Sequence, residues 1–407
     1  MDTYQQVYAA IPLLDELENL PELLECLHGQ EGVAAHVVFC VNQPDHWHDD
    51  PDRRALCERN ALSMAYIRER CRLPFTLIDR SSAGNGWKGK DHGVGMARKT
   101  AMDEAARLAG PKGVIISLDG DTFYDASYFR SVLENFNRHP GATGLAVPYY
   151  HRLTASPAED RAILRYEIYM RNYSINLWRT ANPYCFTALG SAMAVPVKAY
   201  RAIGGMSPKK SGEDFYFLQK LRKYGPLLTW NREKVYPAAR FSDRVFFGTG
   251  PAMIRGAAGD WDSYPLYHYS FFDDLARTYE AFAALFKKDV PVPMDDFLSE
   301  VLKIKDPWGP LRKNARTAEQ FVRACRDRID GLRILQFLKY SQKLSGYPDE
   351  ECLIENLRKH YPAIAGRLDF LREGFTFDGT DVASLDQLRN ELAAIEEEYQ
   401  QKAHADA

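Results

Sequence analysis

The sequence predicts an α/β fold, a mostly parallel sheet flanked by helices over residues 1–250, followed by a mainly helical C-terminal region over 251–407. Three observations predict it. Four short apolar runs alternate with helix-prone stretches in the first 120 or so residues, as strands buried on both faces of a parallel sheet do. Strand signals fade after about residue 255, where prolines at 291, 293, 307 and 310 divide helical stretches. At 407 residues with 45% hydrophobic content, the chain is long enough for more than one core.

The elements follow in order. Val7 to Ile11 is a buried strand stopped by Pro12. Asn19-Leu20-Pro21 opens a helix, with Asn19 as its cap, and Leu20, Leu23, Leu24 and Leu27 keep helical spacing. Ala35 to Val41 is a second strand ending at Asn42, and Arg53 to Arg72 is helix-prone. Phe75 to Asp79 is a third strand. Arg80 to Gly93 is a polar, glycine-rich loop, and Gly95 to Ala109 is helical. Val114 to Leu118 is the fourth strand, with Asp119 at its carboxyl end. Further on come a helix over 161–180, a strand over 192–195, a short helix over 198–203, a helix over 213–224 and an edge strand over 235–241. A charged helix over 385–402 carries Leu388, Leu392 and Ile395 on one face.

Composition narrows the function classes. The formal net charge is −3, from 52 basic and 55 acidic residues, which supplies no electrostatic footprint for nucleic acid. The seven cysteines are odd in number and form no Cys-x-x-Cys pair, so a disulfide framework and a thiolate zinc site are not expected. The first ten residues lack a secretory signal and no 18-residue apolar stretch occurs. A cytoplasmic protein without a membrane span is expected, with peripheral membrane contact left open.

In an open parallel sheet, ligands gather beyond the carboxyl ends of the strands, where Pro12, Asn42, Asp79 and Asp119 fall. Asp119-Gly120-Asp121 sets two carboxylates past a buried strand, with a glycine that lets both face a cleft. Oxygen ligands of this kind suit Mn²⁺ or Mg²⁺, which need few protein ligands when substrate phosphates supply the rest. An Asp-Gly turn alone is also an ordinary strand end. Glu213 and Asp214 follow Gly212 at a helix start, where a carboxylate serves equally as a cap or as a general base. Glycines and bases from Gly84 to Lys90, then Gly93 to Lys99, could cradle a diphosphate ahead of a helix. His151 and His268 are candidates to complete the metal site, and Arg240 and Arg244 to close over phosphates.

Together these segments resemble the family 2 glycosyltransferases, which have the GT-A fold, over about residues 5–250. Ile11-Pro12-Leu13-Leu14-Asp15-Glu16 and Asn19-Leu20 look like the family's opening strand and turn, with Asp15 where its Asn stands. Ala97-Arg98-Lys99 resembles its Ala-Arg-Asn helix start, and Asp119-Gly120-Asp121 its acidic metal motif. Gly190-Ser191-Ala192-Met193 and Gly204-Gly205 through Glu213-Asp214 resemble its acceptor side.

The resemblance implies an inverting transfer of a sugar, of the hexosyltransferase type, from a nucleotide-diphospho-sugar donor to an acceptor hydroxyl, with a divalent metal. Pro12, Leu13, Glu16, Asn42, Asp79, Arg98, Asp119 and Gly120 would then line the donor site. Asp119, Asp121 and His268 would hold the metal. Asp214 would be the base, with Glu213 its second. Asn42 stands where the family often has an acidic residue that reads uracil, and the Gln-x-x-Arg-Trp motif of processive members is absent. The acceptor, whether glycan, lipid-linked or small molecule, is not specified. A sugar-phosphate nucleotidyltransferase and a non-catalytic binding module of the same fold are the alternatives. The first would carry a glycine- and arginine-rich loop after the first strand, and Pro12 to Leu17 has neither residue.

Overall fold

The structure is a computed structural model that describes residues 3–89, 92–154, 156–210, 212–241, 249–372 and 374–405. Lys90 and Arg244 lie outside the described residues. The chain forms two compact units that interleave along it, where the sequence reading has a single boundary at 250. The first comprises residues 1–163, 186–259 and 400–407, and the second 164–185 and 260–399.

The first unit is built on β1 (Gln6–Leu13), β2 (Ala34–Asn42), β3 (Phe75–Arg80) and β4 (Gly113–Ser117). These pair in parallel in the order β3-β2-β1-β4. Val7, Ala9, Ala10 and Ile11 of β1 are fully buried, as are Phe39 of β2 and Ile116 of β4. That burial is what a continuous apolar run in a central parallel strand requires. Helices α1 (Leu20–His28), α2 (Arg54–Arg70) and α3 (Val94–Leu108) connect the strands.

The chain then adds β5 (Thr122–Tyr124), α4 (Tyr128–Arg138), β6 (Gly144–Ala146), α5 (Pro157–Arg179), β7 (Met193–Pro196), α6 (Val197–Ala202), α7 (Glu213–Tyr224), β8 (Leu227–Leu228) and β9 (Val235–Pro237). The main sheet ends β4-β7-β6-β8, with β7 antiparallel to both of its neighbours.

Three details depart from the sequence reading. β1 runs through Pro12 to Leu13, with Pro12 paired to Cys40. β4 follows β1 only as far as Ala10, so proline's missing N–H falls where β1 has a single neighbour. Asn19 makes no side-chain cap, and its amide donates to Glu16 instead. The segment read as an edge strand over 235–241 shortens to β9 and pairs with β5 in a separate two-stranded sheet. β5 and β6, three residues each, are too short to show a period in the sequence, and α4 is a further element absent from the sequence reading.

The second unit is helical in its described residues. Its core gathers Leu164 and Ile168 with Leu353, Leu357, Leu385, Leu388 and Leu392. The Leu388-Leu392-Ile395 stripe is buried as its spacing requires. Inside this unit lies an ion network. Arg171 pairs with Glu167 at 2.6 Å and with Glu396 at 2.6 Å, and Ser174 Oγ donates to Glu396 at 2.6 Å. Arg389 reaches Glu167 at 3.5 Å. All four charged side chains are at most 5% exposed. Removing one partner of such a cluster strands a charge in a low dielectric. Glu396→Ala should therefore lower stability to denaturant by about 3–5 kcal/mol; a loss below ~1 kcal/mol would show that the network contributes little. Among the described residues no helix is long and apolar enough to cross a membrane, and all seven cysteines are free.

Candidate active site

The site forms in the first unit, where β1 and β4 end. β4 delivers Ser117, and Asp119 follows two residues later. Its turn is closed by Tyr124 of β5, whose hydroxyl lies 3.2 Å from the Asp119 amide and 3.1 Å from the Asp119 carbonyl. Gly120 packs on the β1–α1 turn. A Cβ there would stand 2.8 Å from Leu13 Cδ2 and 3.0 Å from Glu16 Cγ. Glycine is thus required to bring the acidic turn against Glu16.

Arg98 is the centre of the arrangement. Its side chain is 3% exposed. Nε donates to Glu213 Oε1 at 3.1 Å, Nη1 to Ser117 Oγ at 2.8 Å and to the Gly190 carbonyl at 2.9 Å. Nη2 lies 2.9 Å from Asp119 Oδ1. Ser117 Oγ in turn donates to the Gly190 carbonyl at 2.7 Å. Despite burial, which alone would lower it, the Asp119 and Glu213 charges raise the Arg98 pKa, so it stays a cation. The sequence reading faced Arg98 toward the nucleotide or its diphosphate. The structure instead uses all three of its nitrogens to join α3, β4, the 190 turn and α7.

Glu213 and Asp214 open α7, after Gly212 at φ 69°. Glu213 is buried and held by Arg98. Asp214 is half-buried, and its Oδ1 accepts from the Phe215 amide at 2.7 Å. Burial and then the Glu213 charge push the Asp214 carboxyl up to about 7. A carboxyl tuned to that range can take a proton near neutral pH.

On the other side of the acidic turn, Arg240 Nη2 lies 2.5 Å from Asp121 Oδ2 and 2.7 Å from Glu16 Oε1. Burial and the Asp121 charge raise Glu16 to about 8, and burial raises Asp121 as well, against the downward pull of Arg240.

The remaining predicted positions hold other work. Asn42 is buried, donates to the Leu13 carbonyl at 2.9 Å and accepts from Trp87 Nε1 at 3.1 Å. Asp79 organises the following loop. Burial pulls its carboxyl up, but the Ser82 and Ser81 amides at 2.9 Å and Asn85 at 3.2 Å hold it down to about 2. Pro12 and Leu13 are strand residues, with Leu13 buried. In the first turn of α3, part of the segment expected to cradle a diphosphate, Gly95 is covered by the chain itself. A Cβ on Gly95 would stand 2.0 Å from the Lys209 carbonyl oxygen.

The two histidines are engaged elsewhere. His268, in the second unit, caps the helix Tyr269–Leu285, with Nδ1 2.7 Å from Ser270 Oγ and Nε2 2.9 Å from Glu355. With both ring nitrogens engaged, it does not enter the metal set below. His151 is fully buried, edge-on to Tyr149 at 5.6 Å.

Sequence reasoning missed Ser117, Tyr124 and the carbonyl of Gly190 as parts of the site. One signal was available. Arg98 shares helical spacing with Ala101, Met102 and Ala105, all of them buried, so it lies on the buried face of α3.

The chain matches no protein-family profile and no curated protein. Among solved structures it is similar to S. aureus TarS 1-349 in complex with UDP-GlcNAc, at 14% identity and TM-score 0.41, over 87% of this chain and 92% of that one. It is also similar to the mannosyltransferase PcManGT from Pyrobaculum calidifontis in complex with GDP-Man and Mn2+, at 17% identity and TM-score 0.35, over 97% and 88%. At these scores the likeness carries no functional argument.

Gly190 is a direct probe of the arginine hub, because an added Cβ would stand 2.2 Å from Arg98 Nη2. Gly190→Ala should lower stability by about 1–3 kcal/mol, as overpacking does. Thermal unfolding measures it, and an unchanged midpoint would contradict the placement of Arg98.

Proposed function

We propose that this chain is an inverting, divalent-metal-dependent glycosyltransferase. It moves a sugar, in the manner of a hexosyltransferase, from a nucleotide-diphospho-sugar to an acceptor hydroxyl, within a GT-A fold of the family 2 type. One observation carries this reading: a single buried arginine ties Asp119, at the carboxyl end of β4, to Glu213, beside Asp214. That tie supports reading the two segments as the donor half and the acceptor half of one site.

The donor half fits a hard cation. Its donors are all carboxyl oxygens: Asp119 and Asp121, with Glu16 alongside. Gly120 removes the Cβ that would part them. Among the described residues no group of three or more His, Cys, Asp or Glu is placed to hold a metal ion by itself, so the ion would need oxygens from outside the protein. Substrate phosphates would supply them to a Mg²⁺ or Mn²⁺ ion. When bound, that ion supplies charge stabilisation for a diphosphate leaving group.

The acceptor half supplies the base. Asp214 takes the acceptor proton as the acceptor oxygen bonds the anomeric carbon and the sugar–phosphate bond breaks. The electron pair leaves with the nucleoside diphosphate. A single displacement of this kind inverts the anomeric centre. Glu213, bound by Arg98, positions α7 and does not compete as base. Seven free cysteines agree with a reducing, cytoplasmic setting.

Two measurements test the proposal. A panel of UDP-, GDP-, CDP- and dTDP-sugars with Mn²⁺ should include one that raises the unfolding temperature, since a ligand of the folded state stabilises it by mass action. Absence of any shift across the panel would count against a nucleotide-sugar donor. With that donor, Asp214→Asn should cut the transfer rate by about 10²–10⁴-fold while leaving donor binding intact.

The pH profile follows from the same carboxyl. A base must be deprotonated to act, so its raised value makes transfer fall as pH drops below about 7. The slope should be about tenfold per unit. A profile flat down to pH ~5 would exclude Asp214 as the base.

A further inference from the structure

We propose that Arg240 is a built-in counter-ion of the acidic turn, which a divalent cation must displace from Asp121 as it binds. The inference rests on the metal-dependent reading above and concerns how that same site is controlled.

The geometry is that of a cation already seated. One nitrogen, Arg240 Nη2, bridges carboxylates from two separate turns, 2.7 Å from Glu16 and 2.5 Å from Asp121. Those turns follow β1 and β4, the pair that Gly120 lets approach. A guanidinium between oxygen ligands does the neutralising work that a hard metal ion would do there. Two cations on the same carboxylate repel each other, so the guanidinium and the metal compete for Asp121.

Arg240 also differs from Arg98 in how firmly it is held. Arg98 is 3% exposed and uses all three nitrogens. Arg240 is 30% exposed, and its Nε is buried without a hydrogen-bond partner. An orphaned donor makes the present position incompletely satisfied. The exposed edge gives the side chain solvent to move into. Its tether is short, three residues beyond the end of β9 at Pro237. The displaced guanidinium therefore stays near the site, where its charge suits a diphosphate.

The consequence is measurable with Mn²⁺ alone, without nucleotide. The full chain is titrated with Mn²⁺ by calorimetry or by the spin resonance of the free ion. Four proteins are compared: wild type, Arg240→Gln, Arg240→Lys and Asp121→Asn. Arg240→Gln removes the Arg240 charge and keeps a hydrogen-bonding side chain, so Mn²⁺ affinity should rise about tenfold. Arg240→Lys keeps the charge, and its affinity should stay within about threefold of wild type. Asp121→Asn should abolish binding.

Two results would overturn the inference, and they differ in what else they remove. If wild type binds Mn²⁺ through Asp121 and Arg240→Gln binds it no tighter, the counter-ion role falls and the proposed function stands. If neither wild type nor Arg240→Gln shows Asp121-dependent binding, the metal-dependent reading falls with it.

Discussion

The buried guanidinium of Arg98 is the constraint on which the site depends. Taking a cation out of water costs several kcal/mol, and only well-placed acceptors offset it. Here the acceptors are the carboxylates of Asp119 and Glu213, the Ser117 hydroxyl and the Gly190 carbonyl. They come from the end of β4, the residues just beyond it, the 190 turn and the first turn of α7. Each demand narrows the sequence locally. Position 190 has no room for a Cβ, position 117 needs a small hydroxyl, and α7 must open with a buried carboxylate. Glu213 meets that demand, while burial and then the Glu213 charge push the neighbouring Asp214 carboxyl up to about 7.

A second arginine repeats the chemistry with a different outcome. Arg240 neutralises Asp121 and Glu16 at the edge of the unit, where solvent reaches it. Each arginine takes one carboxylate of the Asp119-Gly120-Asp121 turn. One anchors Asp119 permanently, and the other holds Asp121 in a way that a stronger cation can replace. Gly120 stands between the two carboxylates and is what allows Glu16 to share the second arginine.

Much of the fold was legible because the central parallel strands β1, β2 and β4 are buried on both faces and so read as unbroken apolar runs, while β3, half-exposed at the sheet edge, was legible as a short apolar run ending at Asp79. α7 was legible to the residue, since Gly212 and the acidic first turn mark its start. β5, β6 and β8 were not, being two or three residues long with no periodicity to detect. The acidic positions of the site were legible by residue type, whereas their partners were not. Nothing local to Arg98 says that its contacts lie 19, 92 and 115 residues away. The same is true of the second unit, where Arg171 finds Glu396 across 225 positions. Residue types announce that a charge exists; only the fold says whether it meets a ligand or another side chain. Arg98, Asn42, Asp79 and His268 were read as ligand-facing, yet each spends hydrogen bonds on the protein's own groups.

The central claim is that Arg98 couples Asp119 to Glu213. A double-mutant cycle on folding stability tests it directly, using Asp119→Asn, Glu213→Gln and the pair. The two carboxylates share one guanidinium, so removing either changes what the other is worth. The account predicts a coupling energy above ~0.5 kcal/mol between them. Strict additivity, with each substitution blind to the other, would contradict it.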